Sequence, residues 1–162
     1  MASVRVIGCG NPDAGDDAVG LLAVRHVRPR LEALAGVDVV ETGPAIRVLD
    51  LLSGIDGAVV VDAVHAPSGG RVPGELVRAE AGPEGLPADV GSSLSSHGLG
   101  VGEAVGLAAA LDRAPRIVFL GVEAGDFVAG HPVSRAVARS MPELGERIVA
   151  EAQALAEARE ER

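Results

Sequence analysis

A chain of 162 residues is long enough for one domain that buries roughly 70% of its unfolded surface, so its core needs no disulfide staples. A net charge of −9, two Phe, no Trp and no Tyr argue against a nucleic-acid partner, because the chain lacks both a basic surface for phosphates and an aromatic platform for bases. No apolar run approaches the ~18 residues of a membrane span. The single cysteine excludes an internal disulfide framework, and no signal-peptide pattern opens the chain. We therefore expect a cytoplasmic protein.

Apolar segments of strand and helix type alternate along the chain. The order begins with a β-branched strand, a Gly-Cys-Gly turn, a loop with three aspartates and an amphipathic helix that contains Pro29. This alternation is typical of a single α/β domain over residues 1–162: a three-layer sandwich with a mostly parallel sheet of about five strands and helices on both faces. The predicted strands cover 4–7, 37–41, 58–61, 74–79 and 116–122, and the predicted helices cover 18–34, 45–52 and 100–111, with two more starting at 133 and 142.

Three ionisable residues fall at one edge of the predicted sheet. Asp17 lies in the loop after the first strand, Asp62 ends the central strand, and His97 precedes a helix. The carboxyl ends of parallel strands carry the sites of open α/β folds. Two carboxylates and an imidazole are a plausible ligand set for a divalent first-row metal that keeps positions open for substrate or water.

Each of these residues also has a structural interpretation. Asp16 is a candidate helix N-cap, and the dipole of the first turn favours a carboxylate at Asp17. Asp62 is placed to accept hydrogen bonds from loop amides. A histidine before a helix, such as His97, is often only structural or solvated.

Other residues suggest different chemistry. Cys9, with His97, fits a thiol nucleophile, although a small buried residue between turn glycines explains Cys9 equally well. The pair Gly8 and Gly10 after a strand resembles part of a dinucleotide fingerprint, with Glu41 where a ribose-binding acid is expected, but the third glycine is absent. His65 is a possible substitute metal ligand. His26 and His131 are expected on the surface and at a helix entry, respectively.

Four segments, in the right order, resemble the hydrogenase maturation endopeptidases, which trim nickel–iron hydrogenase large subunits. They are Gly8-Cys9-Gly10-Asn11-Pro12 with Gly15-Asp16-Asp17-Ala18-Val19-Gly20, then Val60-Val61-Asp62-Ala63-Val64, Ser96-His97-Gly98-Leu99-Gly100 and Gly121-Val122-Glu123.

The resemblance implies that Asp17, Asp62 and His97 are metal-contacting and catalytic positions, although relatives often carry Glu where this chain has Asp17. It also implies endoproteolytic removal of a C-terminal extension from a [NiFe]-hydrogenase large-subunit precursor. The precursor is expected to bring the nickel, for which other divalent ions can substitute.

Two alternatives remain. The Gly-x-Gly-Asn-Pro turn also resembles the start of peptidyl-tRNA hydrolases, but those need a basic surface and an early catalytic histidine. The second alternative is a non-proteolytic accessory protein on the same fold that senses a metal or a nucleotide.

Overall fold

A computed structural model describes residues 3–43, 46–66, 70–87, 90, 92–93, 100–110 and 115–161. His97, and most of the predicted connection 82–96 beyond residue 87, lie outside these residues. The strands are β1 (Val4–Cys9), β2 (Val37–Thr42), β3 (Gly57–His65), β4 (Leu76–Glu80), β5 (Ser92–Ser93) and β6 (Arg116–Glu123), and the helices are α1 (Val19–Glu32), α2 (Ile46–Leu51), α3 (Val101–Ala109) and α4 (Arg135–Glu160).

The five longer strands form one sheet in the order β2-β1-β3-β6-β4. β1, β2, β3 and β6 run parallel, whereas β4 is an antiparallel edge strand and the short β5 pairs with the end of β3. β3 is central and buried along nearly its whole length, which explains its uninterrupted run of Val and Ala. The predicted mostly parallel sheet is confirmed.

The sheet is covered on both faces. Because strand side chains alternate, Val59 and Val118 point into one core layer beneath α1 and α4, while Val60 and Phe119 point into the other beneath α2 and α3. This confirms the three-layer architecture. Within the described ranges, no helix has both the length and the apolarity needed to cross a membrane.

The prediction of two helices after residue 133 is wrong. A single helix, α4, runs through Pro142. Its buried residues Val137, Leu144 and Ile148 stay on one stripe facing the core, whereas Pro142 is exposed. The hydrogen bond that a proline cannot donate would reach back to Ala138, which is also exposed, so water can satisfy that carbonyl.

The first helix also differs at its ends. A 3₁₀ turn at Gly15–Ala18 precedes α1, which continues through the exposed Pro29 and ends at Glu32 rather than at residue 34. The 3₁₀ turn brings the aspartate-rich loop against the carboxyl ends of β1 and β3.

Candidate functional site

The sheet has an opening at its carboxyl edge. β1 pairs with β3 only as far as Gly8 opposite Val61, and β5 pairs with β3 only from Val64 onward. β6 pairs with β3 throughout this stretch and occupies the other side. Among the described residues, Asp62 and Ala63 therefore have no strand neighbour on the side that β1 leaves.

Asp62 does not end its strand, contrary to the prediction. β3 continues for three residues to His65, because β6 pairs with it as far as Val64 and β5 adds antiparallel main-chain partners to Val64 and His65. The Gly-, Pro- and Ser-rich sequence before β5 carries no apolar periodicity that would have revealed this two-residue strand.

The Asp62 carboxylate is buried, with 3% of its surface exposed. Its Oδ1 accepts a hydrogen bond of 2.9 Å from the N–H of Ala63. Burial raises the pKa of Asp62 well above its usual value, the negative charge of Asp17 raises it further, and the Ala63 hydrogen bond opposes both effects. A carboxylate in this environment is stabilised by a nearby cation.

Asp17 reaches the same opening from the 3₁₀ turn, which lies directly against the end of β1. Gly10 has φ +143°, and a Cβ at Gly10 would lie 1.9 Å from the carbonyl oxygen of Asp17, so only glycine allows this approach. The half-buried Asp17 accepts a hydrogen bond of 3.1 Å from the N–H of Asn11. Burial raises the pKa of Asp17, and the Asn11 hydrogen bond lowers it in part.

Asp17 and Asp62 therefore both lie at this edge of the sheet, where the negative charge of Asp17 raises the pKa of Asp62. The repulsion between two such carboxylates is relieved when one of them binds a proton or when a cation binds between them. Within the described ranges, no three His, Cys, Asp or Glu residues converge as a complete metal site. The third predicted contact, His97, lies outside the described residues and stays a prediction.

Asp16 is not the N-cap of the first helix, since neither the 3₁₀ turn nor α1 has a side-chain cap. Its fully buried carboxylate points toward the loop after β6 and the start of α4. It accepts hydrogen bonds there from Gly125 N, Asp126 N, Ser134 N and Ser134 Oγ at 2.7–2.9 Å. Ser134 is itself the N-cap of α4. Asp16 thus joins the turn that carries Asp17 to the loop after β6 and to the start of α4.

The Cys9 side chain is 1% exposed, at the end of β1. Burial raises the pKa of its thiol well above the usual value, and the charges of Asp62 and Asp17 raise it further. A nucleophilic cysteine needs the opposite environment, one that favours the thiolate. These surroundings argue against the thiol mechanism.

We therefore expect Cys9→Ala to retain the wild-type activity and to lose only about 1 kcal/mol of stability, because one buried atom is deleted. Iodoacetamide should label Cys9 in the unfolded protein and leave the folded protein unmodified. Rapid labelling of the native thiol, with parallel loss of activity, would restore Cys9 as a nucleophile.

The partial dinucleotide fingerprint has a different structural role. The glycines at the end of β1 allow the 3₁₀ turn and α1 to pack closely against this strand. A Cβ at Gly8 would lie 2.8 Å from the carbonyl oxygen of Gly20. Glu41 receives hydrogen bonds from the guanidinium groups of Arg25 at 2.6 Å and Arg28 at 3.1 Å. Its two oxygens are engaged by these arginines at the surface, which argues against a ribose-binding role.

The other histidines lie apart from the aspartate pair. His65 is three residues after Asp62 on β3, so alternation turns it to the opposite face, where its ring packs edge-on against Phe127 with centroids 5.2 Å apart. His26 is exposed on α1, as expected. His131 is exposed and lies 2.8 Å from Asp126 in the loop before α4.

Glu123 stands in the motif Gly121-Val122-Glu123, but the sequence predicts no role for it. Glu123 is 3% exposed at the end of β6. The signal in the sequence is its position: Glu123 is a carboxylate that directly follows the apolar run of a buried strand, where a charge needs a specific partner.

Comparisons with known proteins support the fold. No family model and no curated relative matches the chain. Solved structures do match: the [NiFe] hydrogenase maturation protease HycI from Thermococcus kodakarensis is 24% identical, with 94% of this chain and 92% of that chain covered and a TM-score of 0.68. The hydrogenase maturating endopeptidase HybD from E. coli is 19% identical, with coverages of 93% and 91% and a TM-score of 0.70.

A third match extends the range of organisms. The hydrogenase 2 maturation peptidase from a Thaumarchaeota archaeon is 17% identical, covers 91% of this chain and 96% of its own, and has a TM-score of 0.65. At these identities the likeness concerns the backbone. The chain has, over almost its whole length, the fold of solved hydrogenase maturation proteases.

Proposed function

We propose that this protein is an endopeptidase that removes the C-terminal extension of a nickel-loaded [NiFe]-hydrogenase large-subunit precursor. The observation that carries the proposal is the pair Asp17 and Asp62 in the opening between β1 and β5, on the fold of proteins named as hydrogenase maturation proteases. The identity of the substrate is inferred from the resemblance of the sequence motifs to those of the hydrogenase maturation endopeptidases.

In this proposal the two carboxylates and His97 contact the nickel that the precursor brings. The cation relieves the repulsion between Asp17 and Asp62, so docking of the metal-loaded precursor is favoured over docking of the metal-free form. The captured ion orients the scissile peptide, and a water molecule attacks it. Asp17 and Asp62 act as ligands here rather than as nucleophiles.

The experiment is a processing assay with purified precursor, with and without nickel. Cleavage of the nickel-loaded form alone is the expected result for the wild type. His97→Ala should abolish cleavage, while His26→Ala, which changes an exposed histidine on α1, should process at the wild-type rate.

Unchanged cleavage by His97→Ala would remove this residue from the site. Binding of the nickel-loaded precursor without cleavage by the wild type would instead support the accessory role. Cleavage that ignores nickel would contradict recognition through the metal.

A further inference from the structure

Glu123 lies at the carboxyl edge of the sheet near Asp62, on the strand that flanks β3 on the side away from the opening. In the register of β3 and β6, Asp62 is opposite Gly121 and Val64 is opposite Glu123. Because side chains alternate along strands, Glu123 shares the sheet face of Asp62 and lies one pleat closer to the carboxyl edge. The mechanism proposed above makes no use of this buried carboxylate.

Glu123 holds both ends of the connection between β3 and β4. Its Oε1 accepts a hydrogen bond of 3.0 Å from the N–H of Ala66, where the chain leaves β3. Its main-chain carbonyl accepts a hydrogen bond of 2.8 Å from the N–H of Gly74, just before β4. One residue therefore fixes where this connection leaves the sheet and where it returns.

The second carboxylate oxygen faces a cation within that connection. Glu123 Oε2 lies 3.9 Å from Arg71 Nε, with the two side chains 4% and 15% exposed, and no hydrogen-bond donor of the described residues reaches Oε2. Arg71 Nη2 donates a hydrogen bond of 2.6 Å to the carbonyl oxygen of Val90. Val90 in turn precedes β5, the strand that borders the opening. The pair therefore links β6 to the chain before β4 and to the chain before β5.

Such a pair contributes more to geometry than to net stability. Replacing a buried ion pair by apolar residues is often neutral or stabilising, whereas removing one partner leaves an uncompensated charge. A charged pair that spans three segments at the edge of a candidate site is therefore well suited to fixing their relative positions. Between its charged ends, β6 is apolar and buried from Ile117 to Val122 and needs no such contact to stay in the core.

We propose that the Glu123–Arg71 pair is a positioning device for the precursor. It holds Ala66, residues 70–74 and Val90 as one ordered wall at the carboxyl edge of the sheet, beside Asp62. This inference rests on the proposed function, and neither residue contacts the metal or the reacting peptide. The wall orders the entry of the precursor's C-terminal segment, so the pair acts on substrate binding rather than on bond cleavage.

Two variants test the pair. Glu123→Gln keeps the size of the side chain and an acceptor for Ala66 N–H but removes the charge that faces Arg71. Arg71→Met removes the cation and its hydrogen bond to Val90 but keeps an unbranched apolar stem. Each variant should raise KM for the nickel-loaded precursor roughly tenfold, as expected for groups that orient a site from outside, with kcat nearly unchanged, and the double variant should be no worse than either single one.

The control lies at the other end of β6. Glu80→Gln weakens an ion pair with Arg116, whose Nη2 lies 2.8 Å from Glu80 Oε1, and should leave KM unchanged. Hydrogen exchange gives a readout that does not depend on cleavage: the amides of Ala66 and Gly74 should exchange faster in Arg71→Met than in the wild type.

An unchanged KM and unchanged exchange in Arg71→Met would overturn the inference, as would a KM effect of equal size in Glu80→Gln. If Glu123→Gln does not fold, Arg71→Met decides alone. Failure of the wild type to cleave the nickel-loaded precursor would reject the proposed function, while the exchange rates would still test whether the pair orders the wall.

Discussion

Replacing Asp62 by Asn is expected to abolish precursor processing, with a loss of at least about a hundredfold, while the fold stays intact. Even groups outside the ligand shell change metal affinity or activity by about 10–100-fold, and Asp62 is proposed as a direct contact. The asparagine side chain would still offer its oxygen to the N–H of Ala63, which Asp62 engages at 2.9 Å. The substitution therefore removes the charge and spares this hydrogen bond.

The same substitution should stabilise the metal-free protein at neutral pH. The pKa of Asp62 is raised in the folded state by burial and by Asp17, so the folded protein holds this proton more tightly than the unfolded chain. The free energy of unfolding of the wild type then falls as pH rises from the ordinary carboxyl pKa to the folded-state pKa. The advantage of Asp62→Asn should be absent at low pH, grow through that interval and stay constant above it.

Thermal unfolding in EDTA across this pH range, followed by the processing assay, checks both parts. Asp56→Asn is the matched control, because Asp56 is exposed just before β3 at the opposite edge of the sheet. Nickel should raise the unfolding temperature of the wild type and of Asp56→Asn, since a ligand that binds the folded state stabilises it, and have little effect on Asp62→Asn. Full processing activity in Asp62→Asn would remove this carboxylate from the mechanism.

Local patterns in the sequence were enough to predict the mostly parallel sheet and the positions of most of the helices. The β-branched run before Cys9 predicts a buried strand, and the uninterrupted apolar run Ala58–Val61 predicts a central one, because parallel strands buried on both faces carry near-continuous apolar residues. The placement of Asp17 and Asp62 at one edge followed from the parallel order of those strands. Both carboxylates lie at that edge in the structure, and the charge of Asp17 affects the pKa of Asp62.

Features that depend on tertiary contacts could not be predicted in this way. Pro142 predicts a helix start by local rules, but the apolar stripe from Val137 to Ile148 keeps one helix continuous across it. Likewise, the partners of Asp16 lie 109–118 residues further along the chain, so no local pattern distinguishes a helix cap from a long-range acceptor.

Replacing Asp16 by Ala is expected to have the largest effect on stability. The substitution leaves the hydrogen-bond donors Gly125 N, Asp126 N, Ser134 N and Ser134 Oγ without their buried acceptor. Losses of this kind reach about 1–3 kcal/mol for each buried group left unpaired. With relaxation and water entry, we expect a total of roughly 3 kcal/mol, which corresponds to a decrease of about 6–12 °C in Tm for a domain of this size.

Processing activity should fall together with stability in Asp16→Ala, because Asp16 anchors the same 3₁₀ turn that presents Asp17. Asp13→Asn is the control: Asp13 is exposed in the same loop, and surface changes of this kind stay within about 0.5 kcal/mol. Asp16→Asn should fall between the two, since its single oxygen can still accept hydrogen bonds from part of the donor set. Chemical denaturation of the three variants measures the order, and an Asp16→Ala protein as stable as Asp13→Asn would show that the loop after β6 does not depend on this carboxylate.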